Sequence, residues 1–243
     1  GKESTGLVTR FTTTPPQGLT PDFPIRLRLL SEMDVVRVLA NTYYADCEHK
    51  QMPDADAMRS ALERLTQTAR QSSPGASSVT ADDVEDLREY LNRNFLSKPR
   101  VQMLQQGYWA QAVSLAPLLP LSYRAELFGI IWNNQPRFQQ LFLELCQALE
   151  ALGNPAEADC PLEALLPRQT SIIDVALLAG LGTNSAEDRL TLLGKDGRKA
   201  ALPRAVVTAL TAEITIFMRE QPDDFFSYTD LLDFPGYRSR LKI

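Results

Sequence analysis

Cysteine and histidine are scarce in this 243-residue chain. Its three cysteines, Cys47, Cys146 and Cys160, are far apart and odd in number. That excludes a disulfide framework and points to free, mostly buried thiols in a reducing compartment. His49 is the only histidine, so any Ser-His-Asp or Cys-His arrangement would have to use it. No apolar run is long enough to span a bilayer. The opening Gly-Lys-Glu-Ser-Thr lacks the apolar stretch of a signal peptide. Basic residues are not in excess: 25 Lys and Arg stand against 30 Asp and Glu, a formal charge of −5. A general nucleic-acid footprint is therefore not expected. What is present is an ordinary globular composition, long enough for one large domain or two small ones.

Strand signals gather near the two ends. Leu7 to Thr13 is β-branched and is stopped by Pro15-Pro16-Gln17-Gly18. From Ile25 to Leu30 the pattern alternates, with Ile25, Leu27 and Leu29 facing one way and Arg26 and Arg28 the other. This pair suits an antiparallel hairpin with a long connection. Arg189 to Leu193 and Lys199 to Leu202 flank Lys195-Asp196-Gly197 and predict a second hairpin. Glu213 to Met218 and Tyr228 to Asp233 complete the strands.

The middle reads as helical. Ser31 precedes a helix with Val35, Leu39 and Tyr43 on one face. Asp54 opens another, striped by Met58, Leu62 and Leu65. Thr80 caps a third, with Asp82 and Asp83 at the positive end of its dipole and Val84, Leu87 and Leu91 as its apolar stripe. Helices are also predicted over 100–115, 122–132 and from Pro136 to Gly153, with Phe142 and Leu145 facing inward. A short helix is expected over 203–210. The fold class expected is α/β and predominantly helical. Residues 1–44 and 171–243 form a partial α/β region, and 45–170 a helical insertion.

Two motifs carry chemistry. Thr9 lies in Gly6-Leu7-Val8-Thr9-Arg10, and Asp233 opens Asp233-Phe234-Pro235-Gly236. In P-loop GTPases a threonine in a mobile loop reaches Mg²⁺ and the γ-phosphate. A strand ending in Asp-x-x-Gly supplies a carboxylate near the metal, and its glycine amide faces the γ-phosphate. Glycine suits that place because a side chain would block the backbone's approach. Taken singly, Asp-Phe-Pro-Gly is also an ordinary turn, and Val-Thr-Arg-Phe-Thr an ordinary strand.

In this order the motifs resemble the second and third nucleotide-binding motifs of dynamin-like GTPases. Together with Pro24-Ile25-Arg26-Leu27-Arg28-Leu29-Leu30-Ser31-Glu32 and Thr229 to Arg240, they resemble the SrfC family of bacterial virulence proteins. The resemblance implies an incomplete dynamin-like G-domain sheet. It makes Thr9, Asp233 and Gly236 the catalytic set, with Thr9 and Asp233 on the metal. Thr5, Gly6, Arg10 and Pro235 become neighbours of the nucleotide. It implies Mg²⁺ and GTP, or ATP, as cofactors of a longer protein, with none expected on this chain alone. The remainder of the same polypeptide becomes a partner, and the insertion a surface for a protein partner. Location is expected to be the bacterial cytoplasm, with secretion as an effector the alternative.

No Gly-x-x-x-x-Gly-Lys-[Ser/Thr] loop occurs. At Gly194-Lys195, Arg189 stands where the first glycine belongs and Asp196 follows the lysine. No Asn/Thr-Lys-x-Asp guanine motif is present either. An upstream phosphate loop and a fragmentary chain, one that begins at Gly1 and not at Met, are expected on this reading. The rival reading is a non-catalytic helical interaction module or effector scaffold on a degenerate G-domain frame.

Three other groupings point to bland roles. Asp46-Cys47-Glu48-His49 lacks a second ligand group and reads as a helix end. Tyr108, Trp109 and Trp132 read as core. Arg238 and Arg240 read as solvated or phosphate-facing.

Overall fold

The structure is a computed structural model, described here for residues 7–47, 54–71, 78–166, 171–182, 188–194 and 196–233. Two compact units divide it. One holds the described residues of 1–31 and 148–241, the other those of 32–147. The borders fall at Ser31/Glu32 and Gln147/Ala148, where composition placed them at 44/45 and 170/171.

The first unit is built on a mixed seven-stranded sheet. Its strands are β1 (Val8–Thr12), β2 (Ile25–Leu29), β3 (Glu157–Cys160), β4 (Arg189–Gly194), β5 (Lys199–Pro203), β6 (Thr211–Phe217) and β7 (Leu231–Asp233). Their spatial order is β5-β4-β3-β2-β6-β1-β7. β1 and β6 are parallel, and every other neighbouring pair is antiparallel. The order by itself does not identify a G-domain sheet.

The β4–β5 hairpin forms as its pattern predicts. The expected β1–β2 hairpin does not. β6 lies between them, parallel to β1 and antiparallel to β2. Two β-branched strands with a long connection carry no information about an intruding third strand, and here Ile214 and Ile216 of β6 supply it.

β3 was not legible in sequence, because Glu-Ala-Asp-Cys has poor strand propensity. It is held by its neighbour instead. Arg26 donates from Nε and Nη2 to the two carboxylate oxygens of Asp159, at 2.9 and 3.2 Å. β2 and β3 pair antiparallel, so the chain leaves the sheet after one strand and returns in the next.

Period-2 alternation divides the sheet chemically. Ile25, Leu27, Leu29, Ala158, Cys160 and Ile214 are buried on one face. Arg10, Arg26, Arg28, Glu157, Asp159 and Glu213 share the other by register. Helix α8 (Arg204–Leu210) follows β5 directly and is almost wholly buried. It packs on a 3₁₀ segment, Val175–Gly180. This segment is the form taken by the apolar run from Ile172 to Leu181.

The second unit is helical. It comprises α1 (Glu32–Asp46), α2 (Ala55–Gln71), α3 (Ala81–Phe95), α4 (Pro99–Leu104), α5 (Tyr108–Leu115), α6 (Leu121–Gly129) and most of α7 (Pro136–Ala151). Leu62, Leu65, Leu87, Leu91, Phe142 and Leu145 are buried, as their stripes predict. Thr80 and Asp83 form a reciprocal capping box at α3. The single helix expected over 100–115 is two helices, because Gly107 sits between them at φ 106°, a left-handed conformation that glycine tolerates. Trp109 and Trp132 are core residues, the latter beside Phe138 and Phe142.

Candidate functional site

The site begins with β1. Alternation puts Thr9 and Phe11 on one face of this strand and Arg10 on the other. β7 lies antiparallel to it, with Thr9 opposite Asp233, Arg10 opposite Leu232 and Phe11 opposite Leu231. Directly opposed residues place their Cβ atoms about 4.5–5.5 Å apart on the same face. Two residues from opposite ends of the sequence are thus brought side by side.

Their surroundings differ. Thr9 is 4% exposed. Asp233 is exposed and is the last described residue of its segment. A buried hydroxyl and a solvated carboxylate are hard oxygen donors. Mg²⁺ accepts one or two such protein donors when phosphate oxygens and water complete its shell. Asp233 is open to such a role, whereas Thr9 is covered in this conformation. Among the described residues no group of three or more His, Cys, Asp or Glu side chains is placed to hold a metal ion.

Arg10 faces away from this pair. Its Nε donates to Glu213 Oε1 at 2.7 Å and its Nη1 to Asp230 Oδ2 at 3.1 Å. These bonds, that to Glu213 first, push the guanidinium pKa above its ordinary value. Glu213 also lies 3.9 Å from Arg28 Nη2. The charged face thereby carries a run from Asp230 through Arg10 and Glu213 to Arg28. Sequence reasoning missed Glu213 and Asp230 as partners of Arg10. Glu213 opens a segment read only as a strand, and the β1–β6 pairing was not foreseen.

Thr5, Gly6, Pro235 and Gly236 lie outside the described residues, as do Glu48, His49, Lys195, Arg238 and Arg240. Cys146 is buried, as is Cys160, whose thiol is pushed well above its ordinary pKa, mainly by burial. Burial disfavours the thiolate of Cys160 and so its action as a nucleophile.

The whole chain, residues 1–243, matches the model of a family described as "putative bacterial virulence factor". The chain belongs to that family. No curated protein and no solved structure matches it. The family description names virulence and no reaction. Among the described residues of this family member, no helix is long and apolar enough to cross a membrane.

Proposed function

We infer that this segment contributes part of a nucleotide-hydrolysing site, of the P-loop GTPase kind, to a longer virulence protein. The observation that carries the reading is the Thr9–Asp233 register pair. A switch threonine and an Asp-x-x-Gly carboxylate must serve one metal, and here the two motifs meet at neighbouring strand ends. β1 and β7 run antiparallel, so the start of one lies beside the end of the other.

In this reading Asp233 orients the shell of Mg²⁺ and Thr9 adds a hydroxyl oxygen. Gly236, which follows Pro235 in the sequence, would offer its amide to the terminal phosphate. Thr5 and Gly6 belong to the approach to Thr9. The bound cation would neutralise charge developing on the transferred phosphoryl group. The base, GTP or ATP, is left open by the residues present. The sequence lacks a phosphate-binding loop, and most phosphate affinity in this class comes from that loop. The segment alone is therefore expected to hydrolyse nothing, and the phosphate cradle is expected from the remainder of the polypeptide. The helical unit is the element proposed to meet a protein partner. A bacterial cytoplasmic setting, or export as an effector, fits the family description.

Thr9's burial gives the reading a testable requirement: the Val8–Thr9 end of β1 must open on nucleotide loading. Hydrogen exchange on the longest natural polypeptide, with and without Mg²⁺ and GTP or ATP, tests it. A change at residues 7–10 and 231–233 is expected; identical exchange in both states sinks the shared site. The same burial favours the second reading, a scaffold without turnover, in which Thr9 is simply a packed strand residue.

A further inference from the structure

We propose that Arg10 is a positioning residue that clamps β7 to the sheet and so holds Asp233 opposite Thr9. The proposal rests on the functional reading above for its consequence, but not for its geometry. The described part of β7 covers three residues, and all three are exposed, Leu231 at 47% and Leu232 at 37%. Apolar burial therefore does little to dock it. Among the described residues its ladder to β1 has three register pairs. An edge strand that buries so little apolar surface frays unless something else ties it down.

Arg10 supplies the tie. It sits in the middle of the β1 register, opposite Leu232. One arm reaches Asp230, the residue immediately before β7, and the other reaches Glu213 on β6. A single guanidinium thus spans β6, β1 and the entry to β7. An isolated exposed ion pair contributes little. This one differs in geometry, because the planar fork is fixed from both sides: Arg10 and Asp230 are 36% and 33% exposed, but Glu213, which orients the guanidinium, is only 15% exposed. A second tie lies further along, where Thr13 Oγ1 donates to the Phe226 carbonyl at 3.0 Å. That bond anchors the preceding turn, and Arg10 anchors the entry to β7 itself.

The clamp also changes the role of Arg10 within the site. A side chain engaged on the charged face, away from Thr9, is not available to touch a phosphate beside Thr9. The residue acts through Asp233 and not on the nucleotide.

Hydrogen exchange on the chain itself reads the clamp directly. In Arg10→Gln and in Asp230→Asn, protection of residues 230–233 should fall about five- to thirty-fold, while β2 and β6 keep theirs. The double variant should lose no more than either single one, since both remove the same bridge. Arg10→Lys should be intermediate, because an ammonium keeps the charge but lacks the rigid planar fork that fixes both bonds at once. Unchanged protection at 230–233, or an equal loss across β2 and β6, overturns the clamp. Turnover by the longer polypeptide separates this from the functional reading. If nucleotide is hydrolysed, Asp230→Asn should reproduce the kcat loss of Arg10→Gln with KM little changed. A raised KM in Arg10→Gln alone would mean that Arg10 touches nucleotide, contradicting the proposal. Loss of β7 protection in a protein with no turnover would leave the clamp standing and remove the hydrolase.

Discussion

Glu32 and Arg124 form a forked ion pair inside the helical unit, Arg124 Nε to Glu32 Oε1 at 2.7 Å and Nη2 to Oε2 at 2.8 Å. Their side chains are 2% and 3% exposed. Further bonds support the pair: Arg124 Nη1 donates to the Leu119 carbonyl and Ser78 Oγ donates to Glu32 Oε2. The network ties the first turn of α1 to α6 and to the residues ahead of α3. It is the helical unit's counterpart of the Arg10 bridge in the sheet.

Breaking that pair from one side strands a buried charge. Glu32→Ala should destabilise the helical unit by about 3–5 kcal/mol. Both tryptophans, Trp109 and Trp132, are buried in this unit, so denaturant unfolding followed by their fluorescence reports on it. A loss below about 1 kcal/mol, the range of surface pairs, would show that the charges are solvated and the network unimportant.

The α3 capping box makes a smaller and local prediction. Thr80 Oγ1 accepts from the Asp83 amide at 3.2 Å, and the Thr80 amide donates back to Asp83 Oδ2 at 2.8 Å. Thr80→Ala should cost about 1 kcal/mol, and Thr80→Ser far less. Equal losses in the two variants would mean that the methyl group, not the hydroxyl, matters there.

Alkaline pH should weaken the fold. Burial raises the pKa of Tyr44, Tyr108 and Cys160 above their ordinary values of 10.0 and 9.0. Tyr44 and Tyr108 also need their protons to donate to the carbonyls of Ile131 and Leu127. The folded protein thus holds protons that the unfolded chain releases. Stability from these groups is fully present below about pH 9 and declines as pH rises further, by up to about 1.4 kcal/mol per pH unit per group. Denaturation midpoints between pH 8 and 11 check the sign. Tyr108→Phe should flatten the alkaline limb, and a flat profile in the parent contradicts the burial. Cys160 should also resist alkylation until the protein unfolds.

The helical unit was largely legible in sequence because periodic leucines announce their own burial. Thr80 with Asp83, and Pro136 followed by an apolar stripe, are local signals of this kind. Gly107 was the exception, since glycine inside a periodic run does not reveal a left-handed φ. The sheet was legible strand by strand but not in its order. Nothing local in Val8–Thr12 tells that its parallel neighbour is Thr211–Phe217. β3 escaped because its pairing depends on Arg26, a residue far away in sequence. The approach of Thr9 to Asp233 was expected from the chemistry of the two motifs, and the register supplies it. The bridge through Arg10 was not, because its two carboxylates belong to strands whose neighbours were unknown.

The central claim is that Thr9 and Asp233 serve one phosphate-transfer site. Mg²⁺-dependent phosphate release by the longest natural polypeptide carrying this segment tests it most directly. The account predicts release from GTP or ATP that falls on the order of a hundredfold in both Asp233→Ala and Thr9→Ala, with unfolding midpoints close to the parent's. No release from the parent, or full release from both variants, contradicts it.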